Sequence, residues 1–152
     1  MRSRSLIGLT LSLVSGALCA HPLDGDWTTL DDETGRANSV VRIEERSGQI
    51  TARVIRILDV EKAGQFCAAC SDDRKNQPIQ GMQVVRGVAA QAVAPGTWRG
   101  GTILDPKSGK TYDVQLKLVE QAKALEVRGY LGFAMLGRTQ RWLRASYEAT
   151  QP

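Results

Sequence analysis

Two stretches of this chain alternate apolar and polar residues with a period of two, and each is interrupted by a tight-turn pair. In SVVRIEERSGQITARVIRIL, residues 39–58, Val41 and Ile43 fall on one side, Ser47-Gly48 turns the chain, and Ile50, Ala52 and Val54 alternate against Thr51 and Arg53. Only an extended strand places residues i and i+2 on the same face, so the pattern predicts a β-hairpin. WRGGTILDPKSGKTYDVQLKL, residues 98–118, repeats it, with Tyr112, Val114, Leu116 and Leu118 on one face. Its Asp-Pro and Ser-Gly pairs supply the turn. Further strands are expected over residues 82–88, 125–131 and 138–145. VEQAKALEV, residues 119–127, has helix-favouring residues, but the alternation resumes at Leu125 and Val127 and favours strand-turn-strand.

About eight short strands joined mostly by tight turns, with no long amphipathic helix, predict an all-β fold. Sequential hairpins favour an antiparallel up-and-down β-barrel of the lipocalin-like kind, because strands adjacent in sequence then pair and closure removes exposed edges. Gly87, Gly100, Gly101, Gly129 and Gly132 lie within or beside strands, where glycine marks bulges and sharp bends of a curved sheet.

The opening MRSRSLIGLTLSLVSGALCA has two arginines, an apolar run from Leu6 to Leu18, then small residues, the layout of a secretory leader. The run is short for a bilayer span, which needs about 20 residues. Leu18 stands where a lipoprotein signal at Cys19 wants a small residue, so cleavage is expected after Ala20, with Cys19 the alternative. Residues 1–20 are then a signal peptide and 21–152 a single barrel domain, bound for the periplasm or beyond. Losing Arg2 and Arg4 takes the formal net charge from +4 to +2. A balance so near neutral, without a basic cluster, argues against a nucleic-acid partner, and no further apolar run suggests a membrane span in the mature chain.

Gly25-Asp26-Trp27, just ahead of the expected first strand, resembles the Gly-x-Trp signature of lipocalins and related small barrels. The resemblance implies that Trp27 closes one end of the barrel while an arginine near the last strand packs across its ring. GRTQRWLR offers Arg138, Arg141 and Arg144. A guanidinium can stack on an indole face while its donors satisfy backbone carbonyls; the plainer alternative is a core tryptophan. Longer blocks, GDWTTLDDETGRANSVVRI, KNQPIQGMQV, WRGGTILDPKSGKTYDVQLKL and LEVRGYLGFAMLGRTQRWLR, resemble a family of secreted bacterial proteins, domain-of-unknown-function family 2147. The shared features are Trp27, Gly100, Gly101, Asp105, Pro106, Gly109, Lys110, Tyr112, Arg128, Gly129, Tyr130, Trp142 and Arg144. The resemblance implies a lipocalin-like barrel and an envelope location, and it implies no activity.

QFCAACSDD, residues 65–73, sits in the one long connection, roughly Asp59 to Gln80. A loop of that length in a compact domain is usually functional or tied down. Cys67 and Cys70 form a C-x-x-C, but a thioredoxin-type centre wants a helix N-terminus in a βαβ setting. Zinc wants four ligands, and the one histidine, His21, lies far off in sequence. A Cys67–Cys70 disulfide formed in an oxidising compartment is the favoured reading, redox activity the alternative.

Other chemistry is thin, and no metal, cofactor or catalytic residue is assigned. His21 at a new N-terminus could chelate copper, but such sites want a second histidine. Asp31, Asp32 and Glu33, like Asp72 and Asp73, read as polar turn and loop residues before they read as a catalytic pair or calcium site. Two functions stay open. One is a carrier or sensor of a small hydrophobic molecule or lipid in the barrel, with Phe66, Tyr112 and Tyr130 as candidates at its mouth. The other is an envelope interaction protein with a filled barrel and a stapled loop. Eight strands are just wide enough for either, and an aromatic content of only 5% tilts the reading toward a cavity.

Overall fold

The computed structural model describes residues 20–132 and 137–145. Eight strands are present: β1 (Gly25–Leu30), β2 (Ala37–Arg46), β3 (Gln49–Ile57), β4 (Gln83–Ala89), β5 (Thr97–Asp105), β6 (Lys110–Val119), β7 (Ala124–Tyr130) and β8 (Gly137–Arg144). Each is antiparallel to the next, and β8 returns to β1 through Trp27↔Arg144, Thr28↔Leu143 and Thr29↔Trp142, giving a closed meander barrel. Closure leaves no free sheet edge. Among the described residues there is no helix.

Both expected hairpins form, and residues 120–123 turn between β6 and β7 where a helical reading was the competitor. One detail differs. Gly25 and Trp27 lie inside β1 and not ahead of the first strand, because Trp27 pairs with Val41 on one side and Arg144 on the other. The signal peptide expected over residues 1–20 falls, except for Ala20, outside the described residues.

Of the glycines expected at bends, Gly101 marks a bulge. Gly101 has φ of +68°, and a Cβ there would run into the backbone of Arg86, Gly87 and Val88 on β4. The β5–β6 register shifts between Arg99 and Thr102 at the same place, so the bend is a bulge that only glycine permits.

Along each strand the alternation sends one set of residues inward. Trp27, Ile43, Ile50, Val88, Trp98, Leu116 and Leu125, at most 4% exposed, fill one end. That end holds the short β2–β3 and β6–β7 turns and the segment before β1. The loops 31–36, 58–82 and 106–109 gather at the other end.

Candidate functional site

The filled end is a floor. Trp27 Nε1 donates to Leu23 O at 2.9 Å, and the Arg144 guanidinium lies over the indole with Cζ 4.2 Å from the ring centroid. Arg144 then donates to three carbonyls, Ala122 O at 3.0 Å, Asp24 O at 3.2 Å and Pro22 O at 2.8 Å. One side chain thus ties β8 to the β6–β7 turn and to the segment before β1, while burial pushes its basicity below the ordinary arginine value. Gly25 lies beside it at φ +121°, a backbone conformation that favours glycine, and a Cβ there would only touch Nη1 at 3.5 Å. Of the three arginines considered from sequence, Arg144 takes this position. Arg138 pairs with Asp32 at the other end, and Arg141 pairs with Glu120 at 2.5 Å on the outer surface. His21 is part of the floor too, its ring edge-on to Trp98 at 5.2 Å with Nε2 3.2 Å from Ala90 O.

Above the floor the barrel is hollow. A cavity of about 1240 Å³ occupies the upper half and the space among the loops. Its base is Val41, Val127 and Trp142; its walls include Val54, Val84, Ile103, Leu104 and Tyr112; its rim includes Ile57, Ile79, Phe66 and Leu131. Phe66 and Leu131 are 59% and 61% exposed, two large apolar groups at an open mouth. Gly129 faces Ile103 and Tyr112, and a Cβ would meet each at 3.4 Å, so this glycine helps keep the interior wide.

The long loop, residues 58–82, forms one side of the mouth and is held at several points. Cys67 and Cys70 are joined by a disulfide and are buried. Around it Asn76 N donates to Cys67 O and Cys67 N to Gln77 O, both at 2.9 Å. The β5–β6 turn presses on this staple. Gly109, at φ +70°, has no space for a Cβ beside the Ala69–Cys70 backbone, and Cys67 Sγ lies 3.4 Å from Pro106 O. A bridged sulfur has no proton to donate, so that last approach is packing. Its burial denies an attacking thiolate access, which favours the staple over redox chemistry.

Charged groups fix the rest. Arg74, 5% exposed, binds the Asp72 carboxylate, Gln83 O at 3.1 Å and Thr111 Oγ1 at 3.4 Å, anchoring the loop to β4 and β6. It holds the Asp72 carboxyl down at about 2. Asp73 makes two bonds to Arg86, at 2.8 and 2.9 Å, which lower its pKa as well. The expected solvated SDD loop is therefore partly exposed but ion-paired. Across the mouth, Lys62 Nζ reaches Asp59 at 3.0 Å, Asp31 at 3.3 Å and Asn38 at 3.4 Å. Asp31 also accepts from Thr34 N and Oγ1, both at 3.0 Å. Those Thr34 bonds, with Lys62, bring its carboxyl down to about 2. The acidic run is thus a turn, as read from sequence, with an added cross-link to the long loop.

Of the candidates at the mouth, Phe66 and Tyr112 line the cavity together with Trp142. Tyr130 is not brought to it. Leu125 and Val127 are buried inside and Gly129 lines the cavity, so Tyr130, one residue on, takes the opposite face of β7. Sequence reasoning passed over Thr29, Ser39 and Gln140, which also line the cavity. Their parity was visible, each standing two residues from Trp27, Val41 or Trp142. Lys62 and Arg74 left no such trace, because their partners belong to other elements.

A family model described as "Uncharacterized protein conserved in bacteria (DUF2147)" matches residues 25–144. The chain belongs to this family. Among solved structures the DUF2147 barrel is similar to Protein HP1028 from the human pathogen Helicobacter pylori, described as belonging to the lipocalin family. The TM-score is 0.70 at 23% identity, covering 83% of this chain and 84% of that one. At that identity the likeness speaks for the fold. No curated protein matches the chain.

Proposed function

We propose that this DUF2147 protein is a non-enzymatic binder, resident in the bacterial periplasm or secreted, that holds one small, largely apolar molecule in the upper half of its barrel. The observation that carries the reading is the cavity itself: about 1240 Å³ at the open end, walled by Val54, Val84, Ile103, Leu104 and Tyr112. Binding sites of this kind are concave, mostly apolar and enclosed by a rigid scaffold, and the paired loops around this mouth supply that rigidity. The leader-like opening and the Cys67–Cys70 bridge support an oxidising compartment. The filled barrel of the interaction-module alternative describes the lower half only.

The test is native mass spectrometry of the protein purified from the periplasm, with extraction of bound material, beside fluorescence titration with the neutral apolar probe N-phenyl-1-naphthylamine. Expected are an apolar adduct or saturable probe binding, weakened in Ile103→Trp, whose indole projects into the cavity from its wall. A clean apo mass with no saturable probe binding sinks the reading, and so does an Ile103→Trp variant that binds as the native protein does.

A further inference from the structure

The geometry points to a narrower class of occupant, an uncharged amphipath that carries hydrogen-bonding groups along one edge of an apolar body. This rests on the binding reading above. The cavity has two unlike walls. Gln140, Thr29 and Ser39 line it from β8, β1 and β2, three consecutive strands around the barrel, with Thr29 paired to Trp142 and to Ser39. The facing wall, from β3 to β5, presents Val54, Val84 and Ile103.

The polar wall has bonding capacity left over. Thr29 and Ser39 are only 7% and 9% exposed. Their hydroxyls lie 2.8 Å apart, and Thr29 Oγ1 also takes the Ser39 N–H at 3.2 Å. A hydroxyl has one proton and two acceptor sites, so Ser39 Oγ retains an acceptor position toward the cavity. Gln140 Nε2 gives one of its two protons to Asp32 at 2.8 Å, and its carbonyl oxygen has only a long approach of 3.5 Å from Trp142 Nε1. A purely hydrocarbon occupant would leave the open acceptor of Ser39 and the carbonyl oxygen of Gln140 without a good partner and out of reach of water.

Charge at the mouth disfavours an anion. Four carboxylates, Asp31, Asp32, Glu33 and Asp105, meet three cations, and two of those cations are already engaged, Lys62 by Asp31 and Asp59 and Arg138 by Asp32. The third, Lys107, is exposed on the β5–β6 turn, across the barrel from the polar wall. A carboxylate head would therefore find its hydrogen-bonding edge and its counter-ion on opposite sides. A neutral hydroxyl, ester or amide edge meets no such conflict.

The test is displacement of N-phenyl-1-naphthylamine at pH 8 by monodecanoylglycerol and by decanoate, which share a tail and differ in head. Monodecanoylglycerol is expected to displace at roughly tenfold lower concentration, and Thr29→Val, Ser39→Ala, Gln140→Leu together to shrink that ratio about tenfold, the scale of one or two lost hydrogen bonds. Circular dichroism checks that the triple variant folds; Gln140→Leu alone, expected to shrink the ratio severalfold, replaces it if not. Equal or stronger displacement by decanoate overturns the inference, as does a ratio the folded variants leave unchanged. Either result leaves the binding reading standing, whereas absence of probe binding to the native protein fails both.

Discussion

The two ends of this barrel are closed by opposite means. At the floor, Trp27 fills the lumen, and Arg144 stacks on its ring and recruits backbone carbonyls from the segment before β1 and the β6–β7 turn. At the mouth the lumen stays empty, and order comes from a disulfide and from ion pairs around the circumference. Stability drawn from packing cannot be separated from filled volume, whereas stability drawn from the rim can. The barrel can thus be rigid at its open end without closing it.

The sharpest break of this contrast is to hollow the floor as the mouth is hollow. Trp27→Ala is expected to cost about 3–5 kcal/mol, the range for deleting a buried large aromatic. Ile103→Ala, which removes a half-buried side chain that borders the cavity, is expected to cost about 2 kcal/mol, the low end of the range for such a truncation, since it creates no new enclosed void. Urea unfolding of both variants decides it. Equal losses would mean that the floor does not carry the fold.

A smaller effect should come from opening the staple. Cys67→Ala with Cys70→Ala removes a cross-link across a very short ring, and loop-closure entropy puts its worth at about 2 kcal/mol. The loss should be local. Hydrogen exchange should quicken over residues 65–80 and remain unchanged over Leu23–Trp27, because the sulfurs touch the β5–β6 turn and nothing at the floor. Faster exchange at the floor as well would join the two ends into one cooperative unit and erase the distinction.

The floor was more legible in the sequence than the mouth. Trp27 could be related to the last strand through the resemblance to lipocalins, which left Arg138, Arg141 and Arg144 open, and the pairing of β1 with β8 selects Arg144. Period-two parity then placed Val41, Ile43, Ile50, Ala52 and Val54 inside, and the same parity, followed from Leu125, excludes Tyr130 from the cavity. The rim resists such reading. Arg74 with Thr111, Asp73 with Arg86 and Lys62 with Asp31 are pairs between elements, set by how a long loop folds back, and no local period encodes them. The cysteines, with the expected oxidising compartment, favoured a pairing but gave no hint that Gly109 would be pressed against them.

The smallest expected effect, and the one that isolates charge at the mouth, is the acid response of the Asp31–Lys62 link. Thr34 and Lys62 hold the Asp31 carboxyl at about 2 against an ordinary 3.8. A carboxylate whose folded value is depressed contributes stability that is complete above its unfolded value and is lost as pH falls through the folded one. The contribution should therefore be constant from neutral pH to about 4.5 and fade between about 4 and 2. Asp31→Asn can still accept the Thr34 amide, so it removes the charge and spares the turn. Its melting temperature should sit slightly below that of the native protein at pH 7, by an amount that stays level to about pH 4.5 and vanishes toward pH 2. Asp59, lowered chiefly by the same Lys62 and raised a little by the Asp31 charge, titrates in both proteins. A gap that widens on acidification, or one already absent at pH 7 in low salt, would show that the link across the mouth holds nothing, leaving the staple and Arg74 to keep the open end in shape.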